Sequence, residues 1–160
     1  GYARSLSERY GKPVSVAGKL TDVPGAGWML PEVLSAAGIK FLHIGCNEFA
    51  MPPDVPPLFW WEAQSGARVL VMYSKGGYGT GLTPPKGWQY PVWLALMSAK
   101  RDNGGPQTVA EIEALQEEAR RAFPGASVES GTLDDFYKAL NACDLRALPV
   151  VRKEIGRAHV

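Results

Sequence analysis

Apolar residues along this chain fall into two patterns: short runs with no polar face, and longer stretches in which they recur every three or four positions. Residues 40–45 (KFLHIG) and 68–73 (RVLVMY) are continuous apolar runs, the mark of strands covered on both faces of a parallel sheet. Residues 13–17 (PVSVA) are short, apolar and β-branched and read as another strand. Residues 92–97 (VWLALM) read as a strand, although their apolar run also fits a helix, and residues 126–129 read as a brief strand. Helical spacing appears at Met29, Leu30, Val33, Leu34 and Ala37, with Gly38 placed where a helix C-terminus favours glycine. Tyr2, Leu6 and Tyr10 share that spacing near the start of the chain. Thr108-Val-Ala-Glu111 and Thr132-Leu-Asp-Asp135 are capping signatures. The helices they open are predicted to bury Val109, Ile112, Leu115, Ala119 and Ala122, and Leu133, Phe136, Tyr137 and Leu140. Strands alternating with helices predict a parallel α/β fold, whose chemistry belongs at the carboxyl ends of its strands.

Composition narrows the function classes. Hydrophobic residues make up 46% of the 160 positions and charged residues 21%, enough apolar material for one domain with a core. Seventeen basic residues against sixteen acidic ones leave a formal charge of +1, which gives no electrostatic case for nucleic acid or an acidic membrane surface. No run approaches the roughly 20 apolar residues of a membrane span, and residues 1–12 lack the apolar core of a signal peptide. Cys46 and Cys143 form neither a metal pair by spacing nor a disulfide framework. Residues 154–160 (EIGRAHV) are similar to a translated oligonucleotide adapter, so residues 1–153 are taken as the fragment that folds.

Several residues could do chemistry. Asp22 closes an apolar segment just before a Pro-Gly turn and is followed by a helix and a second buried strand. It is either a turn aspartate bonded to its own backbone or a carboxylate held at a pocket rim as nucleophile, metal ligand or both. Asp102 stands in a loop after residues 92–97 and is either an Asp-Asn-Gly turn residue or a general acid/base. His43 lies inside an apolar strand and reads as a hydrogen-bonded core residue rather than a ligand. Asn47, at that strand's carboxyl end, is a candidate for a sugar hydroxyl. Trp60 and Trp61 could offer flat platforms to the C–H face of a sugar, although alternation predicts that one of the two is buried. Tyr78 and Trp88 are similar candidates in the Gly-rich loop SKGGYGTG, whose spacing is not that of a phosphate loop.

The segment TDVPGAGWMLPEVLSAAGIKFLHIGCN, with PDVPPLFWWEAQSGARVLVMY after it, resembles the N-terminal catalytic barrel of glycoside hydrolase family 38, the α-mannosidases. Within the family it is most like a bacterial branch with Asp-Val-Pro-Gly and His-Ile-Gly-x-Asn patterns. The resemblance covers residues 12–153 and is most specific over residues 21–73. It implies a partial (β/α) barrel and retaining hydrolysis of α-linked sugars, with α-mannosides as the expected substrates. It also implies zinc as cofactor, with Asp22 as both nucleophile and metal ligand, and places Asp102 as the acid/base.

The departures from the family pattern are specific. Ala26 stands where the family has a histidine, and Cys46 where it has an arginine. The family's His-x-Asp pair and its later histidine have no counterpart, because the chain's histidines are His43 and His159. The resemblance therefore implies that the remaining zinc ligands lie outside this fragment, which alone is expected to be inactive, or that mannosidase chemistry has been lost. Two other readings stay open: a polysaccharide deacetylase-like metal hydrolase, and a non-catalytic carbohydrate-binding protein with a degenerate barrel.

Overall fold

The computed structural model describes residues 2–23, 25–46, 53–97 and 105–156. Its strands are β1 (Ala17–Thr21), β2 (Gly25–Ala26), β3 (Phe41–Gly45), β4 (Leu58–Glu62), β5 (Arg68–Ser74), β6 (Val150–Val151) and β7 (Ile155–Gly156). Its helices are α1 (Tyr2–Arg9), α2 (Leu30–Ala36), α3 (Val109–Ala122) and α4 (Leu133–Asn141). Five strands make one sheet in the order β1-β3-β5-β4-β6, and β2 pairs with β7 in a separate two-stranded ladder. β1, β3 and β5 run parallel, β4 runs antiparallel to β5, and β6 is parallel to β4. The architecture is thus mixed α/β with a mostly parallel sheet, where the sequence alone predicted uniformly parallel strands. Among the described residues no helix is long and apolar enough to cross a membrane.

The continuous apolar runs behave as predicted. Every residue of β3 is buried, and so are Val69 to Tyr73 of β5, because both faces of the sheet are covered. On one face Leu42, Ile44, Phe59, Trp61, Val71 and Tyr73 pack with Leu30 and Leu34 of α2. On the other, Phe41, Leu70 and Met72 pack against Phe136 and Leu140 of α4, with the Phe41 and Phe136 rings edge to face at 5.5 Å. Each such side chain stabilises the fold by roughly 1.5–3 kcal/mol through burial.

Other boundaries differ from the prediction, each for a local reason. The first strand begins at Ala17 and not at Pro13, which has no amide hydrogen to donate. One Asp134 carboxylate oxygen instead accepts from the Ser15 hydroxyl (2.9 Å) and the amides of Val16 (3.0 Å) and Ala17 (2.7 Å), tying α4 to the head of β1. Residues 92–97 and 126–129 are irregular. The former meets the chain again through the Thr80 amide, which donates to the Leu96 carbonyl at 3.0 Å. α2 leaves Met29 and Val33 exposed, and α3 leaves Val109 and Ile112 exposed while burying Ala119. β4 was not predicted as a strand, since prolines crowd its start. Residues 155 and 156, set aside with the tail, form β7, and Ile155 is buried in the core.

Glu62 ends β4 as a buried carboxylate held between the guanidinium groups of Arg152 and Arg68. The hydrogen bond from Arg152, reinforced by the one from Arg68, holds its carboxyl below the usual range against the opposing effect of burial. Both predicted capping boxes form. At α4 the Thr132 amide donates to the Asp135 carboxylate (2.8 Å) while the Asp135 amide donates to the Thr132 hydroxyl (3.2 Å). Thr132→Ala is therefore expected to lower unfolding stability by about 1 kcal/mol, read as a shift in the urea midpoint at unchanged slope. An unaltered midpoint would show that packing of Phe136 and Leu140 alone fixes α4.

Candidate active site at the carboxyl ends of the parallel strands

Thr21, Gly45 and Ser74 stand in one row across β1, β3 and β5. The next residue of each strand, Asp22, Cys46 and Lys75, therefore marks the rim at the carboxyl ends. Asp22 is exposed and adopts φ 59°, a left-handed conformation that aspartate tolerates better than most residues. Its amide donates to the Gly45 carbonyl at 3.0 Å. The chain thus turns sharply off β1 while staying bonded to β3, and an observed outlier at a strand end is a legitimate pointer to function.

Behind this rim runs a polar chain, centred on one buried histidine, that the sequence did not disclose. His43 has no solvent exposure. Its Nδ1 lies 3.2 Å from Lys19 Nζ and its Nε2 lies 2.9 Å from Ser74 Oγ. Burial first, and the neighbouring Lys19 cation second, lower the His43 pKa to about 4. The imidazole is therefore neutral at pH 7, with Nδ1 accepting from the Lys19 ammonium and the Nε2 hydrogen donated to Ser74. His43 is a hydrogen-bonded core residue, as predicted, with both nitrogens engaged. Period-2 alternation could have flagged Lys19, since it stands directly beside His43 in the sheet register.

Lys19 also donates to the Tyr78 carbonyl at 2.7 Å, which draws the glycine-rich segment 75–81 across the end of β3. Gly45 permits this approach. A Cβ there would sit 2.8 Å from the Tyr78 carbonyl oxygen and 2.9 Å from its Cα, so only glycine fits under the strap. Cys46 and Gly77 form an isolated antiparallel bridge beside it. Gly45→Ala is expected to lower stability by about 1–3 kcal/mol through overpacking, measured by urea unfolding. A change below about 0.5 kcal/mol would mean that the strap lifts without cost.

The remaining predicted site residues are scattered. Asn47 and Asp102 lie outside the described residues, so the Asp22–Asp102 pair is represented by Asp22 alone. Trp61 has no exposed surface, and its indole donates to the Lys153 carbonyl at 2.8 Å. It is a core residue with no face for a ligand, as alternation required of one member of the pair. Trp60 is half-buried and donates to the Leu145 carbonyl. Trp88 packs edge to face on Tyr90 and Trp93. Tyr78 is half-buried in the strap. Cys46, where the sequence resemblance implies an arginine, is buried with its sulfur 3.2 Å from the Tyr73 hydroxyl, and burial together with this contact pushes the Tyr73 phenol up. A buried thiol there cannot supply a guanidinium's charge or its paired donors.

Among the described residues, no three His, Cys, Asp or Glu side chains come together to hold a metal ion. Asp22 places one carboxylate at the rim, and His43 is committed to Lys19 and Ser74. These residues do not by themselves make a zinc site.

This mixed α/β fold has a counterpart among solved structures. It matches part of the crystal structure of an alpha-mannosidase from Enterococcus faecalis V583 with a TM-score of 0.59 and 14% sequence identity, over 93% of this chain and 19% of that one. The chain therefore spans about a fifth of the length of that structure, and at this identity the likeness is one of fold. No protein-family model and no curated protein sequence matches the chain.

Proposed function

We propose that this chain is part of the catalytic domain of a retaining glycoside hydrolase acting on α-linked sugars, α-mannosides foremost, with Asp22 as the nucleophile. One observation carries the reading: an exposed aspartate at the carboxyl end of β1, the parallel edge strand, in a fold that matches part of an alpha-mannosidase structure. In such a reaction the Asp22 carboxylate attacks the anomeric carbon as the bond to the leaving oxygen breaks, and a general acid protonates that oxygen. Asp102 is the proposed acid. As base it then takes a proton from water, which releases the sugar from Asp22 with retained configuration. Asn47, Trp60 and Tyr78 are proposed to contact the sugar, and Trp61 is not, because it is wholly buried. Zinc enters this reading only as an ion to which Asp22 contributes one ligand, the other donors coming from outside the described residues.

The test is covalent trapping in the protein that carries this chain together with the rest of its catalytic barrel. A 5-fluoro-α-mannosyl fluoride is expected to add one glycosyl unit to the peptide containing Asp22, seen by mass spectrometry, and to add none to the Asp22→Asn variant. Turnover of an aryl α-mannoside with a label on a different carboxylate would overturn the assignment. The buried thiol of Cys46 favours a second reading, a carbohydrate-binding protein without catalysis, and turnover of the same aryl mannoside excludes it.

A further inference from the structure

Apart from Tyr78, the mechanism above makes no use of the cleft between residues 75–81 and Leu96–Met97, whose volume is ≈ 360 Å³. Ligand sites run from roughly 300 to 1,000 Å³, so this one has the scale of a small ligand such as one or two hexose rings. Its lining mixes glycine backbone with Thr80, Lys75 and Tyr78 on one side and the apolar Leu96 and Met97 on the other. A sugar, with hydroxyls around its edge and C–H bonds on its faces, is complementary to that mixture.

The strap is tied at three places. Its start, Ser74, takes the hydrogen bond from His43. Its middle, the Tyr78 carbonyl, takes one from Lys19 and rests on Gly45, where no Cβ intrudes. Its far end is fixed by the Thr80 amide on the Leu96 carbonyl (3.0 Å) and the Leu96 amide on the Thr80 hydroxyl (2.8 Å). A loop held this way loses little conformational freedom when a ligand binds. The cleft also lies one strand from Asp22, since the Gly45 carbonyl accepts from the Asp22 amide while its Cα carries the strap.

We propose that this cleft holds a second hexose of the substrate, beside the one attacked by Asp22, and that Lys19 positions the strap that lines it. The inference rests on the reading of the site as a glycoside hydrolase. Lys19 is a positioning residue, acting through the Tyr78 carbonyl.

The experiment is an NMR titration of the ¹⁵N-labelled 160-residue chain with α-mannobiose. The amide signals of Gly76, Gly77, Gly79 and Gly81 are expected to shift saturably. Gly77→Val is expected to weaken binding by about tenfold without unfolding the chain, because a Cβ at Gly77 meets nothing within 4 Å. Lys19→Met should weaken it by about tenfold, the worth of a charged hydrogen bond, and Lys19→Arg, which can still donate to the Tyr78 carbonyl, should recover most of the loss. Strap signals that stay still under mannobiose, or a Lys19→Met chain that binds as well as the parent, overturn the proposal. Saturable strap shifts without trapping at Asp22 leave the cleft a sugar site and remove the nucleophile. Trapping at Asp22 without strap shifts does the reverse.

Discussion

Asp22→Asn is expected to reduce hydrolysis of an aryl α-mannoside by roughly 10⁴-fold or more in the protein carrying this chain, with little effect on folding. The size follows from the role: a residue that forms the covalent intermediate has no substitute within the site, and removing such a group elsewhere costs several orders of magnitude. Asparagine is the informative replacement because it keeps the side chain's shape and tolerates the left-handed backbone at φ 59°. Alanine would add a backbone penalty on the order of 1 kcal/mol and confuse lost chemistry with lost structure. The measurement is kcat for the variant beside its thermal midpoint. Activity within tenfold of the parent would return Asp22 to the role of a turn residue.

The second large effect concerns acid. Free histidine titrates near 6.5, and His43 in the folded chain near 4. Between those values the unfolded chain binds a proton that the folded chain refuses, so stability is complete above pH 6.5 and falls as the pH drops towards 4. The difference corresponds to about 3 kcal/mol, a large share of the stability of an ordinary domain. Glu62, Asp135 and Asp144 are held below the usual carboxylate range, and their stabilisation is lost only at lower pH, below the usual carboxylate pKa values. The interval from pH 6.5 to about 5 therefore belongs to His43. Urea midpoints measured across it should slope for the parent and flatten for His43→Asn, whose amide oxygen stands near the Nδ1 position and does not titrate. A parent that is equally stable at pH 6.5 and 5 would show that the imidazole reaches solvent.

What could be read from the sequence was what local pattern determines. The runs 40–45 and 68–73 gave strands because apolar residues on both faces fit only a covered position. Both helices with capping boxes formed, and Asp22 stands at the end of a strand as the Pro-Gly turn after it required. What could not be read depends on partners far along the chain. β1 was displaced by several residues because Asp134 occupies the amides at its head. The role of Lys19 was hidden because its hydrogen-bond acceptors, His43 and the Tyr78 carbonyl, come from two other segments. β4 was obscured by the prolines before it, and the two-residue strands β6 and β7 carry no periodicity at all. The strap over Gly45 left one trace, a glycine where a strand would otherwise take a larger residue, and one glycine in a sequence has many explanations.

The pairing of β2 with β7 places the turn after Asp22 under the control of residues 155 and 156. During synthesis Asp22 leaves the ribosome before β3, β4 and β5, so those strands can join β1 in the sheet while the turn still lacks its second strand. Ile155 must emerge before Ala26 gains its partner and the hydrophobic cluster around Trp61 closes. The ladder just beyond the carboxylate is thus among the last of the described strand pairings that can form. A chain cut short before residue 155 is expected to leave Gly25 and Ala26, just beyond Asp22, without their paired strand.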